Sequence, residues 1–205
     1  MKTIIKLIFL LLITNSALAI DSTYVIKVHF LYGSKPKKEF KETEDKWFGG
    51  KLGGHVGIEF KKGLILDFVP SGGVHVVAHK KNYCSKFALH KTSIFYKIMG
   101  SVDTAKKAIV FIPLDSIQHS KLQEIVLSYK ENTPYDYAFF GMRCGSAAYD
   151  ILAQIGVLPE YKYRKTMFKI FYPKKLRKRL FNKASEKGWK IKKQEGSLKR
   201  NWEKD

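Results

Sequence analysis

Three residues in this chain have the types and spacing that covalent catalysis requires: His55, Asp67 and Cys144. His55 directly follows Gly53-Gly54 and opens an apolar stretch, a place where a side chain can face an open cleft. Asp67 stands twelve residues on. That even offset keeps the two on one face of a hairpin turning at Lys61-Lys62-Gly63, and folding of the hairpin brings them together. A carboxylate beside an imidazole fixes its tautomer and stabilises the imidazolium. An acid set between Leu64-Ile65-Leu66 and Phe68-Val69 also needs such a partner. Cys144 lies where the irregular segment 139–143 turns into a helical pattern, and a helix start offers partial positive charge and free amides that favour the thiolate. Arg143 adds a full positive charge next door. The chemistry this set suits is acyl transfer. His55 takes the proton of Cys144, the thiolate attacks a carbonyl, and a thioester forms; water or another acceptor then releases the acyl group. The first amide of the Cys144 helix steadies the oxyanion. Taken singly, each residue has a blander reading: a buried small cysteine, a structural histidine, a paired core acid. The combination is what points to chemistry.

The elements that must position these residues read as strands first and helices second. A strand spans 23–32, a loop 33–38, and a short charged helix 41–47. Strands at 55–60, 64–69 and 74–78 follow at hairpin spacing, with turns at Lys61-Lys62-Gly63 and Pro70-Ser71-Gly72-Gly73. Further strands are expected at 94–99 and 108–112. Asp115 or Ser116 caps a helix over 117–130 that Asn132-Thr133-Pro134 ends. A second helix runs from Cys144 to 155 and closes at Gly156, and a third spans 174–184 after Pro173. Segments 189–194 and 198–202 form a final hairpin around Gly196-Ser197. This order indicates an α+β fold, an antiparallel sheet packed against helices.

Two stretches resemble a known family. GGHVGIEFKKGLILDF is similar to the histidine hairpin of the NlpC-type, papain-like cell-wall cysteine peptidases, in which a histidine opens a strand and a second polar residue stands twelve positions later. IVLSYKENTPYDYAFFGMRCGSAAYDILAQIGVLPE resembles the other half of that family's site: a helix, a "PY" turn, then a cysteine opening a helix that closes like Gly156-Val157-Leu158-Pro159. Histidine precedes cysteine here, the order of the circularly permuted branch, which includes amidases and lipid acyltransferase relatives. Geometry rather than chain order defines such a site. The resemblance implies a permuted papain-like core over 20–160, with Cys144 as nucleophile, His55 as base, Asp67 as orienting acid and Tyr135 of the "PY" turn holding the reacting carbonyl. Arg143-Cys144-Gly145 stands where common members have Asp-Cys-Ser, a difference at the rim of the pocket.

Composition sets the surroundings. The 205 residues carry 38 Lys+Arg against 18 Asp+Glu, a formal charge of +20, with 45% apolar and 14% aromatic residues. That is enough apolar matter for one packed domain and too much for a disordered chain. Lys2 and Lys6, the apolar run 7–13 and Ala17-Leu18-Ala19 have the plan of a secretory signal peptide over 1–19. The exported chain is thus expected in the periplasm or outside the cell, where nucleic acid is not its partner. Segment 161–205 holds 17 Lys+Arg against four Asp+Glu. It reads as a basic extension packing on the domain, with an anionic membrane surface as candidate partner. The expected substrates are amide or ester bonds of an envelope component, a cell-wall peptide or an acylated lipid. The contrasting reading is a non-catalytic module that binds anionic lipid or wall polymer. Neither cofactor nor metal is expected: His75 and His79 share a strand face, but no acid or cysteine at matching spacing completes a set. His29, His90 and His119 have no constellation. Two cysteines in an oxidising compartment can pair, and a Cys84–Cys144 bridge would silence the nucleophile, but Cys84 lies in the polar loop 80–86, away from the hairpin.

Overall fold

The computed structural model describes residues 24–47 and 49–205; the signal segment 1–19 lies outside the described residues. In chain order the strands are β1 (Tyr24–Tyr32), β2 (Ser34–Pro36), β3 (Gly54–Lys61), β4 (Leu64–Pro70), β5 (His75–Val77), β6 (Ser85–Lys91), β7 (Lys107–Leu114), β8 (Ala138–Phe140), β9 (Ile191–Gln194) and β10 (Arg200–Trp202). The helices are α1 (Thr92–Lys97), α2 (Ser116–Glu131), α3 (Cys144–Gln154), α4 (Tyr163–Lys169) and α5 (Pro173–Lys187). Six strands form one antiparallel sheet in the order β6-β4-β3-β1-β7-β9. The fold is α+β, as the sequence indicates.

Period-two alternation divides the sheet into two faces. Val28, Phe30, Val56, Ile58, Leu66, Phe68 and Ile112 bury one face under α2, α3 and α5, in a single core with Ile151, Leu176 and Leu180. Leu31 and Ile65 point to the other face and pack with Phe95, Tyr96 and Met99. The register places Gly57 opposite both His29 of β1 and Asp67 of β4. His55, two positions from Gly57, therefore shares the second face with Asp67. No helix among the described residues is long and apolar enough to cross a membrane.

Several elements differ from expectation. Residues 92–97 form α1 rather than a strand, because Phe95, Tyr96 and Met99 sit at helical spacing and jointly cap the Leu31–Ile65 face. The partner of β4 is β6 rather than β5. Phe87 of β6 stacks on Phe68 with ring centroids 4.9 Å apart, whereas Val76 and Val77 of β5 bury too little to hold a sheet position. Segment 71–84 is thereby an excursion, closed by Ser71 N–H to the Cys84 carbonyl at 2.8 Å, and β5 pairs in parallel with β8. A short turn of 3₁₀ helix at Lys38–Phe40 takes the place of a helix over 41–47.

The C-terminal hairpin does not form either: β9 adds to β7 at the sheet edge, and β10 pairs with β2. The basic segment is thus woven into the domain. Leu176, Leu180 and Ala184 of α5 are fully buried. Arg177, also fully buried, lies 3.7 Å above the Tyr32 ring and pairs with Glu203 at 3.0 Å.

Candidate active site

β3 begins at Gly54, where a φ of +100° and a Cβ that would stand only 2.6 Å from the Leu31 carbonyl oxygen exclude a side chain. This bend sets His55 at the mouth of the sheet. Its Nε2 lies 2.7 Å from Oδ2 of Asp67, so Nδ1 is the nitrogen left to face Cys144, whose thiol lies close enough to act on the ring. The Phe95 ring packs against His55 at 5.4 Å and sits over Gly57, where a Cβ would come within 2.8 Å of it. Ring and carboxylate are both buried, so the imidazole is held from two sides.

Cys144 is the first residue of α3, after Arg143 in extended conformation. The turn is closed by Ser146 Oγ, which accepts the Arg143 N–H at 2.8 Å and donates to the Arg143 carbonyl. The Cys144 amide is accordingly free to point at a ligand. Gly145 lets the first turn of α3 abut that of α5: a Cβ there would stand 3.2 Å from Pro173. The basic segment therefore buttresses the nucleophile, and Tyr172 and Pro173 line its cavity.

Electrostatics favour a thiolate–imidazolium pair. Burial alone pushes the Cys144 thiol up, but the His55 charge, its hydrogen bond and the Arg143 guanidinium outweigh burial and hold it below the ordinary value. Burial likewise pushes His55 down, yet Cys144 and Asp67 together raise it to about 10. Both cysteines are free thiols, and no bridge joins Cys84 to Cys144.

Two cavities meet at this pair. One, of about 340 Å³, is lined by Cys144, Arg143, Leu52, Phe139 and Tyr172. The other, of about 240 Å³, is lined by His55, Val69, Val74 and Met99. Gly54 and Tyr137 belong to both. Larger hollows of about 470 and 480 Å³ near Trp47 contain neither Cys144 nor His55.

The four residues expected at the site do not all meet. His55, Asp67 and Cys144 do. Tyr135 instead lies in the core, edge-on to Phe68 at 5.3 Å, and burial together with the Asp150 charge pushes its phenol well above the usual range. The tyrosine at the nucleophile is Tyr137, two residues on. It lines the cavity beside Cys144, and its hydroxyl interacts electrostatically with the thiol. The Tyr137–Met142 bridge folds it back onto the residues preceding α3. Tyr135 sits at a bend ahead of the extended residues that begin at Tyr137, so the two tyrosines do not share a face; the sequence carries no clear signal of that bend.

Sequence reasoning also passed over His90. Its Nδ1 lies 2.8 Å from Oδ1 of Asp67, so the carboxylate carries a histidine on each oxygen. The signal was its place one strand over, opposite Ile65 on the Asp67 face. His29 has partners too, Glu59 at 2.7 Å and the Tyr96 hydroxyl at 2.6 Å, a buried polar cluster on the same sheet face. Arg143 proves to be packed among aromatic rings, 3.8 Å from the centroid of Phe171 and 5.2 Å from that of Tyr172. Its Nη2 is buried without a hydrogen-bond partner among the described residues.

No known protein family, curated protein or solved structure matches this chain.

Proposed function

We propose that the chain is a cysteine hydrolase working through a thioester on Cys144. The observation that carries this reading is His55 held between the Asp67 carboxylate and the Cys144 thiol, at the junction of two cavities. In the mechanism, the Cys144 thiolate attacks a carbonyl whose oxygen turns toward the Cys144 amide and the Tyr137 hydroxyl. The His55 imidazolium then gives its Nδ1 proton to the leaving amine or alcohol. The same nitrogen takes a proton from water as it attacks the thioester, which returns the thiolate and releases the acid.

The substrate we propose is an amide or ester of a cell-envelope component, met outside the cytoplasm. A cell-wall peptide is the first candidate. A lipid acyl group is the second, favoured by the apolar wall of Leu52, Phe139, Tyr172 and Pro173 beside Cys144. The exposed residues Arg164, Lys165, Phe168 and Lys169 of α4 suit the same anionic surface.

Labelling with a small thiol-directed electrophile tests the enzyme reading. Cys144 is expected to react fast at neutral pH and Cys84 slowly, with His55→Ala abolishing the difference. Equal, slow labelling of both thiols in the unaltered chain would sink the proposal and favour a non-catalytic binding module. Release of acid from peptide amides against long-chain acyl esters then separates the two substrate classes.

A further inference from the structure

Away from the thiol, the structure assembles a second set of chemically capable side chains. His75 and His79 stand four residues apart, one in β5 and one just past it; Asp136 directly precedes Tyr137 and β8. The parallel pairing of His75 with Ala138 brings these distant segments side by side. One ligand atom from each residue lies within 4.8 Å of the other two. The imidazole rings are 4.6 Å apart at 72°, and the Tyr83 ring closes over both at 5.5 and 5.3 Å. The sequence expectation that no acid completes the pair fails because the third member comes from a segment 57 residues beyond His79.

The carboxylate is built in rather than incidental. Asp136 is fully buried. Its Oδ1 accepts the amides of Tyr83 and Cys84 at 3.3 and 3.4 Å. Its Oδ2 accepts the His79 amide at 3.1 Å and the Nδ1–H of His75 at 2.6 Å. Backbone amides thus fix the plane and direction of the carboxylate, as outer-shell donors do for acids that ligate metals. His75 is half-buried and His79 exposed, so an ion has an entry path. No side-chain hydrogen bond occupies the His79 ring among the described residues, and its ligand atom already lies within 4.8 Å of the other two.

We propose that His75, His79 and Asp136 form a binding site for a borderline first-row divalent ion, zinc foremost. Two imidazole nitrogens and one carboxylate oxygen are a donor set that zinc accepts at about 2.0–2.2 Å, with a fourth, tetrahedral position for water. Calcium and magnesium prefer all-oxygen shells and are disfavoured by the two nitrogens. On binding, the ion replaces the proton between His75 Nδ1 and Asp136 Oδ2, and that proton leaves to solvent. The bound ion clamps excursion 71–84 onto the segment that runs through Tyr137 into β8. The assignment stands independently of the chemistry at Cys144.

The test uses the tag-free full chain with Cys144→Ser, which removes the competing thiol. Titration with Zn²⁺ is expected to show one ion per chain at micromolar or tighter affinity, and Co²⁺ should give the intense visible bands of a four-coordinate site. His79→Ala, an exposed change that keeps the backbone contact to Asp136, should weaken Zn²⁺ binding about tenfold or more. It should also abolish the rise in melting temperature that Zn²⁺ produces. Absence of Zn²⁺ binding in the Cys144→Ser chain overturns the site, as does equal affinity in His79→Ala. Zn²⁺ uptake confined to chains that keep Cys144 would assign the ion to the thiol and likewise overturn it.

Discussion

His90 donates to the carboxylate oxygen of Asp67 that His55 leaves free, at 2.8 Å. Asp67 is fully buried, so each of its oxygens needs a donor, and the two histidines supply them from neighbouring positions on one sheet face. Replacing His90 by Ala strands one buried carboxylate oxygen, a loss on the order of 1–3 kcal/mol for a charge-assisted bond. The carboxylate then turns to find solvent and loosens its grip on the His55 ring. The rate of Cys144 alkylation is expected to fall about tenfold, with His90→Gln restoring most of it because an amide N–H can still donate. Full activity in His90→Ala would show that Asp67 needs no second anchor.

The charge pair predicts a pH profile with both limbs displaced. Cys144 is held below the ordinary thiol value by His55 and Arg143 against the effect of burial. Its alkylation should therefore be fast at neutral pH and decline only as acid protonates the thiolate. His55→Ala removes the largest opposing influence, so burial dominates and the acid limb moves up, past the ~8.5 of a free cysteine. Turnover also needs the imidazolium as proton donor. With His55 raised to about 10, turnover should fall on the alkaline side near that value while alkylation, which needs only the thiolate, continues. Stopped-flow alkylation and steady-state rates measured from acid to alkaline pH check both limbs; a wild-type alkylation limb at or above 8.5 contradicts the ion pair.

Tyr137 and Tyr135 give a paired comparison. The Tyr137 hydroxyl lies beside the Cys144 thiol and lines the same cavity, the place where an oxyanion develops. Tyr137→Phe should lower kcat by about 10²-fold, the usual cost of one oxyanion donor, with little change in KM. Tyr135 is packed among Phe68, Phe87 and Tyr129. Tyr135→Phe keeps that ring packing and is expected to leave kcat within about twofold of wild type. The opposite ranking of the two variants would move the oxyanion site to Tyr135.

What the sequence made legible follows the range of the forces involved. The His55–Asp67 relation could be read because a tight hairpin fixes the register over twelve residues. The α2 cap at Asp115, which accepts the Gln118 amide at 2.7 Å, is local as well. The contacts that needed the structure are long-range: His90 joins Asp67 only once β6 displaces β5 as the neighbour of β4. Asp136 joins His75 only through the parallel β5–β8 pairing. The part that the basic segment plays was only partly legible for a related reason. Its lysines dominate composition, while its structural contribution comes from Leu176, Leu180, Ala184 and buried arginines, above all Arg177.

That arginine yields the last prediction. Arg177 is buried beneath the sheet with Nη1 3.0 Å from Glu203 and Nε 3.3 Å from Asp205, and its guanidinium stacks on Tyr32. Tyr32 also hydrogen-bonds Asp205. Removing one partner of a buried pair leaves the other charged and without compensation, at a cost of about 3–5 kcal/mol. Arg177→Ala should therefore lower stability by that amount in urea unfolding, and deletion of 161–205 should abolish cooperative folding altogether. Arg177→Met combined with Glu203→Leu removes both charges and keeps the apolar volume, and is expected to recover most of the loss. A basic segment that only rests on a finished domain would tolerate Arg177→Ala without such a loss, and the truncated chain would unfold cooperatively.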